Sequence, residues 1–135
     1  MAKAVTLKNP DGTTIYPITK VEAVDGVNPN YSTSEVDTGA KWIDEREIYS
    51  KTFYIADTGS GTTTNIPHNI SSLRQVVKIE GFYVDPDGKN YPLPSYGGSA
   101  SYLHIMVDQT NLSIDVGTTG SANKEAWITI FYTKA

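Results

Sequence analysis

No cysteine occurs in the 135 residues. Disulfides and thiolate metal sites are therefore excluded. A small domain without them must find stability elsewhere, and oligomerisation is a common route. Charge is scarce as well: 19% of residues are Asp, Glu, Lys or Arg, below the ~25% of an average globular protein. The net charge is −4 and no basic run exists. That argues against nucleic acid, whose phosphates demand clustered Lys and Arg. No apolar run approaches the length of a membrane span, so no membrane insertion is expected. The opening residues, Met1 to Lys8, lack the apolar stretch of a signal peptide. The expectation is therefore synthesis in a cytoplasm without a secretory signal. The Asn-x-Ser triplets at Asn30, Asn69 and Asn111 then read as chance matches. Helical periodicity is missing too. No window free of Gly or Pro carries apolar residues at i, i+3, i+4 and i+7, and the best single helical turn is 71–75.

In place of these features the chain has turns and β-formers. Eleven Gly, seven Pro and nine Tyr accompany many Thr, Ser and Asn. That mixture suits short strands joined by turns. The length predicts one domain, burying roughly two thirds of its unfolded surface. Two hairpins share a design. Asn9-Pro10-Asp11-Gly12 precedes Tyr16-Pro17-Ile18, and Asp85-Pro86-Asp87-Gly88 precedes Tyr91-Pro92-Leu93. Pro presets φ at the first central position and Gly supplies the left-handed exit. Pro17 and Pro92 cannot donate to a ladder, so their arms should be sheet edges or should end there. Between them the pattern fades from Thr19 to Gly39, which places a boundary near Asn30. Residues 1–30 read as an attachment or oligomerisation arm built on a β-hairpin, and 31–135 as the body.

Seven strands are predicted in the body, at 40–43, 48–55, 62–66, 75–84, 102–108, 112–116 and 126–132. This spacing predicts an all-β fold, an antiparallel β-sandwich of jelly-roll-like type. Leu103, Ile105 and Val107 alternate with Tyr102, His104 and Met106. Leu112, Ile114 and Val116 alternate with Ser113 and Asp115, so these two strands should pair across a tight loop. The last strand is apolar on both faces. It is either central or covered by another chain, and Ile128, Ile130 and Tyr132 are the expected oligomer contacts.

Several constellations invite a chemical reading. Asp37-Thr38-Gly39-Ala40 is the tetrapeptide of retroviral-type aspartic proteases, and Asp57 begins a second Asp-Thr-Gly. That chemistry needs two carboxylates sharing a proton on loops that follow apolar strands. The polar Ser32-Thr33-Ser34-Glu35 precedes Asp37, so a turn is the better reading and no enzyme is expected. Asp85, Asp87 and Asn90 lack the further oxygens and closing Glu of a calcium loop. His68 and His104 have no spaced partners for zinc, and His68 is expected to bond a loop onto the sheet. No cofactor or metal is expected. Tyr91, Tyr96, Tyr102 and His104 are the candidate ligand residues, since aromatic rings with polar tips suit sugar rings at half-wet sites. Nine Tyr in a β domain also need no ligand, and core or subunit contact is the default reading.

The stretch from Tyr31 to Thr52 carries the clearest likeness. It is a polar lead followed by a hairpin, whose apolar anchors, Trp42 and Ile43 on one arm and Ile48 and Tyr49 on the other, bracket a charged four-residue turn 44–47. It resembles a segment of short structural proteins of bacteriophage tails and fibres. Tyr31, Ser32, Thr33, Glu35, Gly39, Trp42, Ile43, Asp44, Ile48, Tyr49, Lys51 and Thr52 match that pattern. Glu45 stands where Gly is usual and Glu47 where Pro is usual. The start (Lys3 to Asn9, with Tyr16-Pro17-Ile18-Thr19), Ile66-Pro67-His68-Asn69-Ile70 and the ending Ile130 to Lys134 are similar as well. The resemblance implies a non-enzymatic virion component of a tail tip, baseplate or fibre. It implies a homotrimer contacting other tail or baseplate proteins, with a host cell-surface glycan as receptor if it has one. A carbohydrate-binding module accompanying a glycan-degrading enzyme is the alternative class.

Overall fold

The computed structural model describes residues 5–8, 14–18 and 31–135. In the arm, β1 (Val5–Lys8) and β2 (Thr14–Ile18) pair antiparallel with Leu7 opposite Ile15, a two-stranded sheet of their own. The Asn9-Pro10-Asp11-Gly12 turn expected between them lies outside the described residues, as does the 19–30 linker.

The body is an antiparallel β-sandwich. Its strands are β3 (Val36–Lys41), β4 (Glu47–Ile55), β5 (Thr62–Pro67), β6 (Leu73–Val84), β7 (Asn90–Pro92), β8 (Ser95–Gly98), β9 (Ser101–Val107), β10 (Asn111–Val116) and β11 (Glu125–Lys134). One sheet has the order β3-β4-β11-β6-β7 and the other β5-β10-β9-β8. The chain shuttles between them at β4–β5, β5–β6, β7–β8 and β10–β11, the jelly-roll-like aspect of the weave.

Period-2 alternation decides what lies inside. From one sheet come Phe53, Ile55, Ala126, Ile128, Ile130 and Tyr132; from the other come Leu103, Leu112, Ile114 and Val116. Each large aliphatic side chain so buried contributes roughly 1.5–3 kcal/mol. β11 is central, flanked by β4 and β6. Its apolar character on both faces thus reflects an inner face in the core and an outer face still carrying Trp127 and Phe131. Ile128, Ile130 and Tyr132, expected to meet a neighbouring chain, are fully buried in this chain's own core. Their inward parity follows from pairing Ile128 with Phe53, so the subunit assignment of these three side chains is corrected.

Three local differences from expectation have local causes. The strand expected at 40–43 runs instead from Val36 to Lys41. Trp42 N–H donates to Arg46 O and Glu45 N–H to Trp42 O, so the loop is Ile43-Asp44-Glu45 and Ile43 is 88% exposed, not an anchor. Residues 71 and 72 turn and pass straight into β6, so the suggested helical turn at 71–75 does not form. β8 was not foreseen, because Ser-Tyr-Gly-Gly carries no alternation. β7, the return arm with Pro92, is the edge strand its proline demands.

Candidate functional site

Parity brings three of the four expected ligand residues together. Tyr96 on β8 stands opposite Tyr102 on β9, and His104 follows two residues along on the same outer face of the four-stranded sheet. The Tyr102 and His104 rings lie 5.0 Å apart at 32°. Across the ladder His104 faces Asp115, which faces Thr63 on β5; Met106 faces Ser113, which faces Asn65. Ser113 Oγ donates to Asn65 Oδ1 at 2.6 Å, and Thr63 Oγ1 to Asp115 Oδ1 at 3.2 Å. The result is a flat patch of rings bordered by hydrogen-bonding groups, with Tyr96 73% exposed at its end. Tyr91 is elsewhere. It stacks on Tyr83 of the other sheet at 4.8 Å and packs against the core, and a hydrogen bond to Asp85 raises its hydroxyl pKa.

The other motifs resolve into local structure. In both Asp-Thr-Gly segments the Asp carboxylate accepts from the Gly N–H two residues on, at 2.9 Å for Asp37 and for Asp57. Both are side-chain-closed turns. Around Gly88, Asp85 pairs with Lys124 at 3.3 Å and Asp87 with Lys89 at 3.4 Å. Among the described residues no three His, Cys, Asp or Glu side chains gather so as to hold a metal ion. His68 is buried. Its Nδ1 accepts from Ile70 N–H at 3.0 Å, which puts the proton on Nε2 to donate to Asp108 O at 3.0 Å. The ring thus bonds the 68–70 loop to the β9–β10 turn. That turn is closed by Asp108, whose carboxyl is held below its ordinary pKa by the Asn111 and Thr110 N–H groups.

The surface that sequence reasoning missed is the outer face of the five-stranded sheet. Register aligns its side chains in rows across β4, β11 and β6. Tyr54, Trp127 and Phe82 form one row; Thr52, Thr129 and Glu80 the next; Ser50, Phe131 and Lys78 the third. Successive rows are about 7 Å apart. Tyr54 and Trp127 rings meet at 4.5 Å, and all three aromatic residues of the first row are more than a third exposed. In the second row Thr52 and Thr129 hydroxyls bond at 2.9 Å. Ser32 O accepts from Thr52 N–H, which brings the 31–35 lead alongside β4. From there Tyr31 reaches over β4 and β11, donating its hydroxyl to Glu80 Oε1 at 2.7 Å. Lys78 Nζ sits 3.1 Å from Glu80 Oε2. The Tyr31 hydrogen bond, with Lys78, keeps the Glu80 carboxyl below its ordinary pKa.

Tyr31, Thr52, Glu80, Gly81, Phe82, Trp127 and Thr129 line a cleft of about 430 Å³. A neighbouring cleft of about 460 Å³ lies between Trp42, Phe131 and Ile48. The period-2 placement of Tyr54, Trp127 and Phe82 is visible in sequence, but only the register puts them side by side. Compared with models of known families, with curated proteins and with solved structures, the chain has no match.

Proposed function

We propose that this chain is a non-enzymatic component of a phage or prophage tail, at a tip, baseplate or fibre. In this reading residues 1–30 attach or oligomerise, the working unit is a homotrimer within the virion, and the sandwich presents its sheet faces to a host cell-surface glycan. The observation that carries the recognition part is the patch of Tyr96, Tyr102 and His104 on one outer face. Two neighbouring strands, β8 and β9, supply the rings there, bordered by Asp115, Ser113, Asn65 and Thr63. Aromatic faces against sugar C–H groups, with short polar side chains beside them, form the chemistry that a neutral glycan requires. The likeness of the 31–52 segment to tail proteins supports the virion part. The same patch would equally serve a carbohydrate-binding module working beside a glycan-degrading enzyme.

Gold-labelled antibody against the chain, applied to phage particles, tests the location. Label confined to the tail is expected; particles without label, and a neighbouring glycoside-hydrolase gene, would turn the reading to the module. Binding of fluorescent protein to bacterial cells tests the patch, and Tyr96→Ala with His104→Ala is expected to reduce it roughly tenfold.

A further inference from the structure

We infer that the cleft beneath Tyr31 on the five-stranded sheet is a second carbohydrate site, taking a neutral sugar ring against Trp127 with Glu80 and Tyr31 as its polar anchors. It shares a ligand class with the patch on the opposite sheet but none of its residues.

Four features carry the inference. The cleft is large enough for a small ligand, since such sites begin at about 300 Å³. Trp127 packs against the Tyr54 ring at a tilt of 47° and leaves over a third of its surface open, on a wall continued by Phe82. The floor is uncharged, and its largely apolar surface carries two hydroxyls. Thr52 and Thr129 hydroxyls satisfy each other, and each keeps capacity for a further hydrogen bond. Finally, Glu80 and Tyr31 are already fixed by their mutual bond, so a sugar hydroxyl meets groups whose ordering cost is largely met before binding.

Aromatic rings beside a carboxylate also describe a cation site. Here the two differ in what they would displace. Glu80 Oε1 already receives Tyr31 and Oε2 already faces Lys78. A cationic ligand would have to evict Lys78. A polyol instead uses the spare lone pairs of the carboxylate and the donors of Lys78 without breaking the pair. The local charge is thus balanced for a neutral, hydroxyl-rich ligand.

The test uses the full chain with cellotriose, chitotriose and choline as separate probes. Titration calorimetry measures affinity for the wild type, Trp127→Ala, Glu80→Gln and Tyr96→Ala, each checked for native far-UV circular dichroism. A Trp42→Phe background leaves Trp127 as the single indole, so its emission reports the locus. The expected result is saturable binding of at least one trisaccharide with a shift in Trp127 emission. Trp127→Ala and Glu80→Gln should each weaken it roughly tenfold, and Tyr96→Ala should not. Binding lost only in Tyr96→Ala would leave recognition on the opposite sheet and overturn this site alone. Choline binding in place of the saccharides, or no binding by any probe, would overturn it as well. Should Trp127→Ala misfold, Glu80→Gln decides, because that isosteric change leaves the sheet intact.

Discussion

Glu45 carries a backbone conformation that suits glycine. Its φ is 67°, at the third residue of a loop closed by the Glu45 N–H to Trp42 O bond. The Asp85-Pro86-Asp87-Gly88 loop has the same build, with Gly88 N–H donating to Asp85 O and φ at 85°. A left-handed φ costs an L-residue about 1–2 kcal/mol, partly offset by the entropy that Gly brings to the unfolded chain. Glu45→Gly is therefore expected to raise stability by about 0.5–1 kcal/mol, read as a higher urea midpoint at unchanged slope. Thr133 offers a second gain. It is fully buried in β11 and its hydroxyl has no hydrogen-bond partner among the described residues. An orphaned buried hydroxyl costs roughly 1–3 kcal/mol, while Val keeps the shape. Thr133→Val should be stabilising by about 1 kcal/mol in thermal unfolding, and a loss would mean the hydroxyl is satisfied. At this scale sequence reading did well where one residue dictates geometry. Pro86, Asp87 and Gly88 announced their turn, and His68 its loop contact. It failed at Ile43, whose apolar side chain said "anchor" while the Glu45 conformation turned it out to solvent.

Among elements, the polar 31–35 lead is tied to the sheet by a clamp at Glu35. Burial works against its charge, but Lys134 Nζ at 2.7 Å and the Tyr132 hydroxyl at 2.6 Å outweigh it, and its pKa falls below the ordinary 4.5. Tyr132 responds the other way: burial, then the bond to Glu35, raises its pKa strongly. The sign for stability follows. A carboxyl depressed in the folded state stabilises fully above its unfolded pKa and loses that contribution as pH falls through its folded pKa. Unfolding followed from pH 7 downward should show this loss below about 4.5, and Glu35→Gln should flatten that limb while costing about 1 kcal/mol at neutral pH. If the acid limb is unchanged in Glu35→Gln, other carboxyls set it. Gly81 marks a different constraint, a close approach between β6 and β11. A Cβ there would collide with the Trp127 carbonyl. Gly81→Ala should cost about 1–3 kcal/mol by overpacking, measurable as a lower midpoint. Strand existence was legible in the alternation of β9 and β10 and in the β-branched run of β11. Hairpin neighbours were legible as well, β9 beside β10 and β6 beside β7; the neighbours of β11 were not, because its place between β4 and β6 depends on contacts far apart in sequence. The aromatic row of Tyr54, Trp127 and Phe82 stayed hidden for that reason, and the separation of Tyr91 from Tyr96 did too.

For the whole molecule, the placement of β11 changes how a trimer must be built. Every buried side chain of the core cluster lies between Phe53 and Tyr132, so the body carries its own core. Ile130→Asp would bury a charge with no partner there, at a cost comparable with the whole stability of a domain. It should yield unfolded protein, not dissociated folded subunits. The contacts of the proposed trimer then fall to the arm or to outer surfaces of the sandwich. A two-stranded hairpin is marginal by itself, so the arm gains most from association. The expectation is that the full chain has the mass of a trimer in light scattering coupled to gel filtration. A chain of residues 31–135 should give a folded monomer with unchanged β-rich circular dichroism, since its core and the Glu35 clamp are retained. A truncated chain that stays trimeric would move the contact to the sheet faces, where it would compete with the clefts for Trp127 and Phe82. A full chain that is monomeric at micromolar concentration would end the trimer proposal outright.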